Sequence, residues 1–226
     1  MKHPRTVLIV QMRLDSSRLP RKALLPLAGT TLAGAVMRRL RGVRADEYVL
    51  ASDSDGVAEL EPIARGNSFS VFAGPKDDVL ARYAQAAQAY GAEMIVRATG
   101  DNPLVSCALA NDILERALAV EADYAGFLGM PVGMGVEVIR AEALRKAQAE
   151  AGSPYEREHV CPYLYGHPEL FSVLRPECPA SYRSSSRVTV DTDADYSFIR
   201  ELFAKLGDEP DDGEILAYLG GNGLKP

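Results

Sequence analysis

Residues 6–25 read TVLIVQMRLDSSRLPRKALL. The first six, Thr6 to Gln11, are β-branched or aliphatic until the closing Gln, with no polar–apolar alternation. That pattern predicts a strand buried on both faces, as in parallel sheets. The strand runs into a loop that places Arg13, Arg18, Arg21 and Lys22 beside the hydroxyls of Ser16 and Ser17. Arginine grips phosphate oxygens in bidentate fashion, and lysine adds a point charge. A buried strand emptying into a cationic loop points to an open α/β sheet, because such sheets bind ligands beyond the carboxyl ends of their strands.

Outward from this stretch, strands and helices alternate. Strands are expected at 48–52, 68–73, 93–98, 123–127 and 136–139. Helices are expected at 30–40, with Thr30 or Thr31 as cap, and at 55–65, where Pro62 is a weak point. Further helices fit 77–90, 106–120 (capped by Ser106) and 141–151. Then the rhythm breaks. Residues 153–169, SPYEREHVCPYLYGHPE, are aromatic with prolines every few positions. Strands at 171–174 and 187–190 and helices at 193–206 and 214–219 complete the chain. The fold class is α/β, a mostly parallel sheet with helices on both faces. No repeat or linker divides it, so one domain over 1–226 is expected. Its aromatic segment, about 153–175, either covers a substrate or forms a dimer interface.

Composition narrows the function. The 226 residues are 47% hydrophobic and 25% charged, with a net charge of -6. That balance argues for a globular protein and against a general nucleic-acid binder. No apolar run approaches the roughly 18 residues of a membrane span, and the start is too short in apolar residues for a signal peptide. Three widely spaced cysteines, Cys107, Cys161 and Cys178, favour neither disulfides nor a cysteine zinc site, so a reducing cytoplasm is expected. The charge is uneven. Up to Arg44 there are ten Lys or Arg and one acid, Asp15. Arg38, Arg39, Arg41 and Arg44 fit the end of a helix, where cations suit the dipole. The four cations of the first loop have no such explanation, and an anion is their expected partner.

Three loops carry the candidate chemistry. The first is Gln11 to Leu25, suited to a triphosphate held above the sheet; on charge alone it reads equally as a solvated basic loop. It contains neither GxxxxGK[ST] nor GxGxxG, which argues against P-loop and Rossmann sites. The second is RATGDNPL, Arg97 to Leu104, where Asp101 stands beyond a strand and suits Mg²⁺ on phosphate oxygens; the same tetrapeptide also reads as an ordinary turn. The third is RVTVDTDADY, Arg187 to Tyr196. There Asp191 ends a strand as a metal-ligand candidate, and Asp193 is expected to N-cap a helix. Asp53 in SDSD touches a base or ribose, or simply starts a helix. Glu137, between Val136 and Val138, faces away from the core and toward the cleft. His159 is structural or a substrate contact. No GxSxG elbow is present, and no covalent nucleophile is expected.

Gln11 to Leu25 resembles the N-terminal signature of sugar cytidylyltransferases, the CMP-KDO and CMP-acylneuraminate synthetase superfamily. The nearest resemblance is to its spore coat polysaccharide biosynthesis protein F branch, which reads approximately QARMGSSRLPGKVL. Further blocks match in order: GPKDDVLARY (74–83), VRATGDNPL (96–104), GVEV (135–138), REHVCPY (157–163) and VTVDTDAD (188–195). The resemblance implies a three-layer α/β/α fold like that of nucleotide-diphospho-sugar transferases. It implies CTP as substrate with Mg²⁺ as cofactor, an acidic sugar acceptor, surface polysaccharide synthesis and a homodimer. Carried over by residue, Arg13, Ser17, Arg18 and Lys22 hold the triphosphate, Arg18 and Lys22 with Asp101 are catalytic, and Asp101 and Asp191 bind metal. Asp15 and Arg21 stand where the branch has glycine, and Thr99 where CMP-KDO synthetases carry Gln. Two alternatives stay open: a glycosyltransferase of the same fold that binds a nucleotide sugar without making one, and an inactive member acting as an interaction subunit, to which the glycine losses at Asp15 and Arg21 lend weight.

Overall fold

The computed structural model describes residues 3–222. Its strands are β1 (Thr6–Gln11), β2 (Pro26–Leu27), β3 (Thr30–Thr31), β4 (Glu47–Ser52), β5 (Ser70–Ala73), β6 (Met94–Thr99), β7 (Tyr124–Ala125), β8 (Glu137–Arg140) and β9 (Val173–Leu174). Its α-helices are α1 (Leu32–Leu40), α2 (Ser54–Gly66), α3 (Val79–Ala89), α4 (Cys107–Ala119), α5 (Ala141–Glu150), α6 (Pro154–His159), α7 (Pro162–Gly166), α8 (Asp193–Leu206) and α9 (Asp212–Asn222). Seven strands form one sheet in the order β5-β4-β1-β6-β8-β7-β9. Only β8 runs against the others, antiparallel to both β6 and β7. The expected mixed, mostly parallel sheet is therefore present.

β1 lies in the middle and is buried as its composition predicts. Leu8 and Val10 face one core with α1, α2, α4, α8 and α9. Val7 and Ile9 face the other, with α3, α5 and the segment around Val160 to Leu164. All four are fully buried. At roughly 1.5–3 kcal/mol for each buried aliphatic side chain, this alternation to both faces is what fixes the three layers. Among the described residues no helix is long and apolar enough to cross a membrane.

The departures from expectation have local causes. The helix expected from Thr30 begins at Leu32, and Thr31 caps it by accepting from the Gly34 N–H at 3.1 Å. Thr30 and Thr31 instead pair with Pro26 and Leu27 in a hairpin whose turn residues, Ala28 and Gly29, have φ of 51° and 69°. Positive φ at both positions is the geometry that matches strand twist across a two-residue turn. Pro62 sits inside a continuous α2. The strand expected at 123–127 shrinks to Tyr124–Ala125.

Residues 187–190 are not a strand. Arg187 makes one isolated bridge to Val132, and the extended run then bonds to loops: Val188 N–H to Val132 O and Val190 N–H to Asp101 O, both at 2.8 Å. Its β-branched composition is spent on filling the core between loops. Asp193 does not cap α8. Thr192 does, with Asp195 reciprocating in a capping box. The aromatic stretch contains the short helices α6 and α7, which its prolines start rather than break, each standing in the first turn.

Candidate functional site

A cleft of about 420 Å³ opens beyond the carboxyl ends of β1 and β6. The first loop forms one wall, Thr99 to Asp101 the floor, and Glu158, His159 and Asp191 the far side. Gly100 lets β1 and β6 end this close together. Its N–H donates to Gln11 O at 2.8 Å, and a Cβ there would lie 2.1 Å from Met12 Cγ.

Of the residues expected from sequence, Arg13, Ser17, Arg18, Lys22, Asp101, His159 and Asp191 all line this cleft. Lys22 stands at its centre. The ammonium donates to Val190 O at 2.7 Å and to Asp191 Oδ1 at 2.9 Å, and lies 3.4 Å from Asp101 Oδ2. Asp191 is also held by Arg18 at 3.2 Å and by Arg187 at 2.7 Å. Burial alone would raise its pKa, but Lys22, Arg18 and Arg187 outweigh burial and hold it below the usual carboxylate value. Arg13 lies between Glu158, 3.5 Å away, and Asp15, at 3.8 Å. Ser17 is exposed on the cleft wall, and the His159 ring lies tilted against Tyr155 with ring centroids 4.5 Å apart.

Two expected residues lie elsewhere. Asp53 is buried and does not line the cleft; its carboxylate caps α2 by accepting from the Gly56 N–H at 2.8 Å. The helix-start reading of SDSD is the one its geometry fits. Glu137 faces away from the core, as alternation predicts, but into an adjoining pocket of about 410 Å³. Its carboxylate is committed to the Arg97 guanidinium and to the Tyr124 hydroxyl, which donates at 2.8 Å. The two cavities meet at Arg97 and Thr99. Over the second one, the guanidinium of Arg175 lies 4.6 Å from the Tyr165 ring and makes no ion pair among the described residues.

The two lost glycines are accommodated. Arg21 adopts the left-handed conformation, φ 56° and ψ 26°, that glycine would take freely. Its guanidinium turns outward and pairs with Glu59, so it does not offset Asp15. Lys76, at 3.2 Å, and Arg13 do that. Asp15 has no positive φ to sustain.

Sequence reasoning missed Arg97, Arg187, Arg175 and Arg82. A charged residue inside the apolar run MIVRAT is the signal for Arg97. Arg82 is fully buried in α3, with Nε and Nη2 on Pro75 O at 2.9 and 2.6 Å, bracing the loop before the helix. The REHV stretch holds a second surprise. Val160, fully buried, has φ 70° and ψ −58°, and the Cys161 N–H closes a three-residue turn onto His159 O at 2.8 Å. A β-branched residue there is strained, and strain of this kind gathers where side chains are aimed. The turn leaves His159 on the cleft while burying Cys161, whose thiol pKa is raised first by burial and then by Glu137.

The donor set can accept a hard cation only with help. Asp101 and Asp191 already share one positive charge, and among the described residues no group of three His, Cys, Asp or Glu could enclose a metal. Two carboxylates completed by phosphate and water oxygens is the environment Mg²⁺ prefers.

Known proteins share this fold and much of this sequence. A family profile described as cytidylyltransferase matches residues 7–219. The spore coat polysaccharide biosynthesis protein SpsF of Bacillus subtilis is 33% identical over 90% of this chain and 88% of its own. A cytidylyltransferase structure from Leptospira borgpetersenii superposes with a TM-score of 0.89 at 28% identity, covering 97% of this chain and 95% of that one. A CMP:2-keto-3-deoxy-manno-octonic acid synthetase solved with CTP shares the fold at 17% identity, with a TM-score of 0.71 over 89% of this chain and 99% of that one. A cationic loop facing two aspartates beyond a parallel sheet, in a chain matched along nearly its whole length, has one consistent interpretation: this protein is a nucleotidyltransferase and belongs to the cytidylyltransferase family.

Proposed function

We propose that the protein transfers a cytidylyl group from CTP to an acidic sugar or sugar-like acceptor, in surface polysaccharide synthesis. It does so as a single-domain cytoplasmic enzyme. The observation that carries the reading is one loop presenting Arg13, Arg18 and Lys22 to a cleft that Asp101 and Asp191 also line. An acceptor oxygen attacks the α-phosphorus. The bond to the bridging oxygen breaks, pyrophosphate leaves, and the acceptor's proton passes to solvent. Such transfers depend on positioning and charge neutralisation rather than covalent help. Arg13, Arg18, Lys22 and the Ser17 hydroxyl hold the triphosphate, and Arg18 and Lys22 stabilise the departing pyrophosphate. Asp101 and Asp191 would hold Mg²⁺. When bound, it supplies positive charge at the phosphate oxygens.

The acceptor belongs in the adjoining pocket, which meets the nucleotide cleft at Arg97 and Thr99. Glu137 shapes its floor through Arg97 and Tyr124 rather than by free contact. Arg175, unpaired above Tyr165, suits an anionic group on the acceptor. His159 stays with the nucleotide. Tyr155 and Leu170, 61% and 43% exposed in the aromatic segment, suit the interface of a homodimer.

The test is pyrophosphate release from CTP with Mg²⁺ across a panel of acidic and neutral sugars. Asp101→Asn is expected to keep the fold and lose at least about a hundredfold in turnover, the scale of removing an electrostatic contact to the reacting phosphate. Near-normal turnover in that variant sinks the assignment of Asp101.

A further inference from the structure

Lys22 does more than wait for a phosphate. Its three N–H groups are all spent, on Val190 O, Asp191 Oδ1 and Asp101 Oδ2, and its side chain is only 15% exposed. Among the described residues it is the sole ion-pair partner of Asp101, whereas Asp191 keeps Arg18 and Arg187 besides. With two close bonds and a third, looser contact, the ammonium is turned toward the carboxylates and Val190 O. This lysine brings to the two carboxylates the kind of charge that a metal ion would bring.

We propose that Lys22 is an internal stand-in for the divalent cation, and that it makes cation and nucleotide binding interdependent. The inference rests on the cytidylyl-transfer reading above. A cation arriving alone must evict the ammonium from between Asp101 and Asp191 and leave it without a counter-charge. Two positive centres within about 3–4 Å repel each other too strongly to share the same pair of oxygens. A triphosphate arriving alone must either draw the ammonium away, which leaves Asp101 bare, or face the carboxylates itself. Arriving together, they permit an exchange of partners: the cation takes the carboxylates and the ammonium takes the phosphates. After that exchange every charge again has a partner. The coupling is reciprocal, so nucleotide tightens cation binding by the factor by which cation tightens nucleotide binding.

The local fold supports such a motion. Lys22 opens a single 3₁₀ turn, Lys22–Leu24, whose backbone is pinned by Lys22 N–H to Leu19 O at 3.2 Å and Leu25 N–H to Lys22 O at 3.0 Å. The preceding Arg21 is fixed in its left-handed conformation, with its N–H on Leu14 O at 3.0 Å. The turn itself stays in place. Rotation of a four-carbon side chain is enough to pass the ammonium from carboxylates to phosphate.

The experiment measures Mn²⁺ binding to the full chain by titration calorimetry and by electron paramagnetic resonance, without nucleotide. Wild type, Lys22→Met and Lys22→Gln are compared, with Asp101→Asn added to each. Removing the ammonium is expected to tighten Mn²⁺ binding at least about tenfold, and Asp101→Asn to abolish the gain. Unchanged or weaker Mn²⁺ binding in both Lys22 variants overturns the proposal. If a variant unfolds for want of a cation at this site, Mn²⁺ must restore its fold; a variant equally unfolded with Mn²⁺ and with chelator counts against it. Wild type titrated with CTP in the presence of Mn²⁺ tests the underlying reading separately. Failure to bind CTP there removes the cytidylyl-transfer assignment, while CTP binding without a gain in the Lys22 variants removes only the stand-in role.

Discussion

At the scale of single residues, the clearest test is the Arg97–Glu137 pair, where the cleft meets the adjoining pocket. Arg97 and Glu137 face each other from paired strands, with side chains 14% and 25% exposed. Burial alone would lower the Arg97 pKa; the Glu137 carboxylate outweighs it and raises it further. Breaking a buried pair by removing one partner strands the other charge, at a cost of about 3–5 kcal/mol. Glu137→Gln is therefore expected to lower the thermal midpoint on the order of 10 °C for a chain of this size. The double substitution Arg97→Met with Glu137→Leu is expected to recover much of that loss while abolishing acceptor turnover, because the pocket floor becomes apolar. Unfolding curves that leave Glu137→Gln at the wild-type midpoint would contradict the pair's structural weight. Glu137 also shows what a sequence can and cannot reveal about one side chain. Period-two alternation put it on the correct side of the sheet. Its commitment to Arg97 and Tyr124 depends on which strand lies beside β8, and no local pattern encodes that.

At the scale of elements, the strands and helices that carry their own periodicity were legible. β1 and α8 match their expected bounds, and most other helices agree within two residues. The elements that escaped are short ones without a period of their own: the β2–β3 hairpin, set by its turn, and α6 and α7, which lean on neighbours distant in sequence. α6 has six residues, too few to be stable alone, so it persists through its capping box and its neighbours. Asp78 is the main such neighbour. It caps α3 by accepting from the Ala81 N–H at 2.9 Å, and its second oxygen accepts from Arg157 of α6 at 2.6 Å. One carboxylate thus joins α3 to the helix that carries Glu158 and His159. Asp78→Asn keeps a capping oxygen but loses the ion pair, whereas Asp78→Ala loses both. The Ala variant is expected to cost about 1 kcal/mol more than the Asn variant, the usual worth of an N-cap. Both are expected to speed amide exchange across 154–159 while leaving β1 and β6 protected. Unchanged exchange over α6 in both variants would mean that the capping box alone holds it.

At the scale of the whole molecule, the uneven charge has a resolution. Much of the N-terminal cationic excess is answered by acids from later in the chain: Arg38 by Glu209, Arg39 by Asp212, Arg44 by Glu115 and Arg21 by Glu59. The cations that remain in the cleft, Arg13, Arg18 and Lys22, meet Glu158, Asp191 and Asp101, so each has an acid beside it. Its walls come from residues 11–23, 97–101, 158–159 and 191, segments that separate completely on unfolding. A ligand held by all of them binds the native state alone and must shift the unfolding equilibrium. At about one hundred times its dissociation constant the shift is roughly 2.7 kcal/mol, or on the order of 5–10 °C in the midpoint. Thermal unfolding with CTP, UTP, GTP and ATP, each with and without Mg²⁺, should show that rise for CTP with Mg²⁺ and a much smaller one for CTP without it. An equal rise for all four nucleotides would mean that the cleft grips triphosphate without reading the base. No rise with any of them would mean that the internal pairs of Lys22 and Arg13 outcompete the nucleotide, and the inactive-member alternative would take the lead.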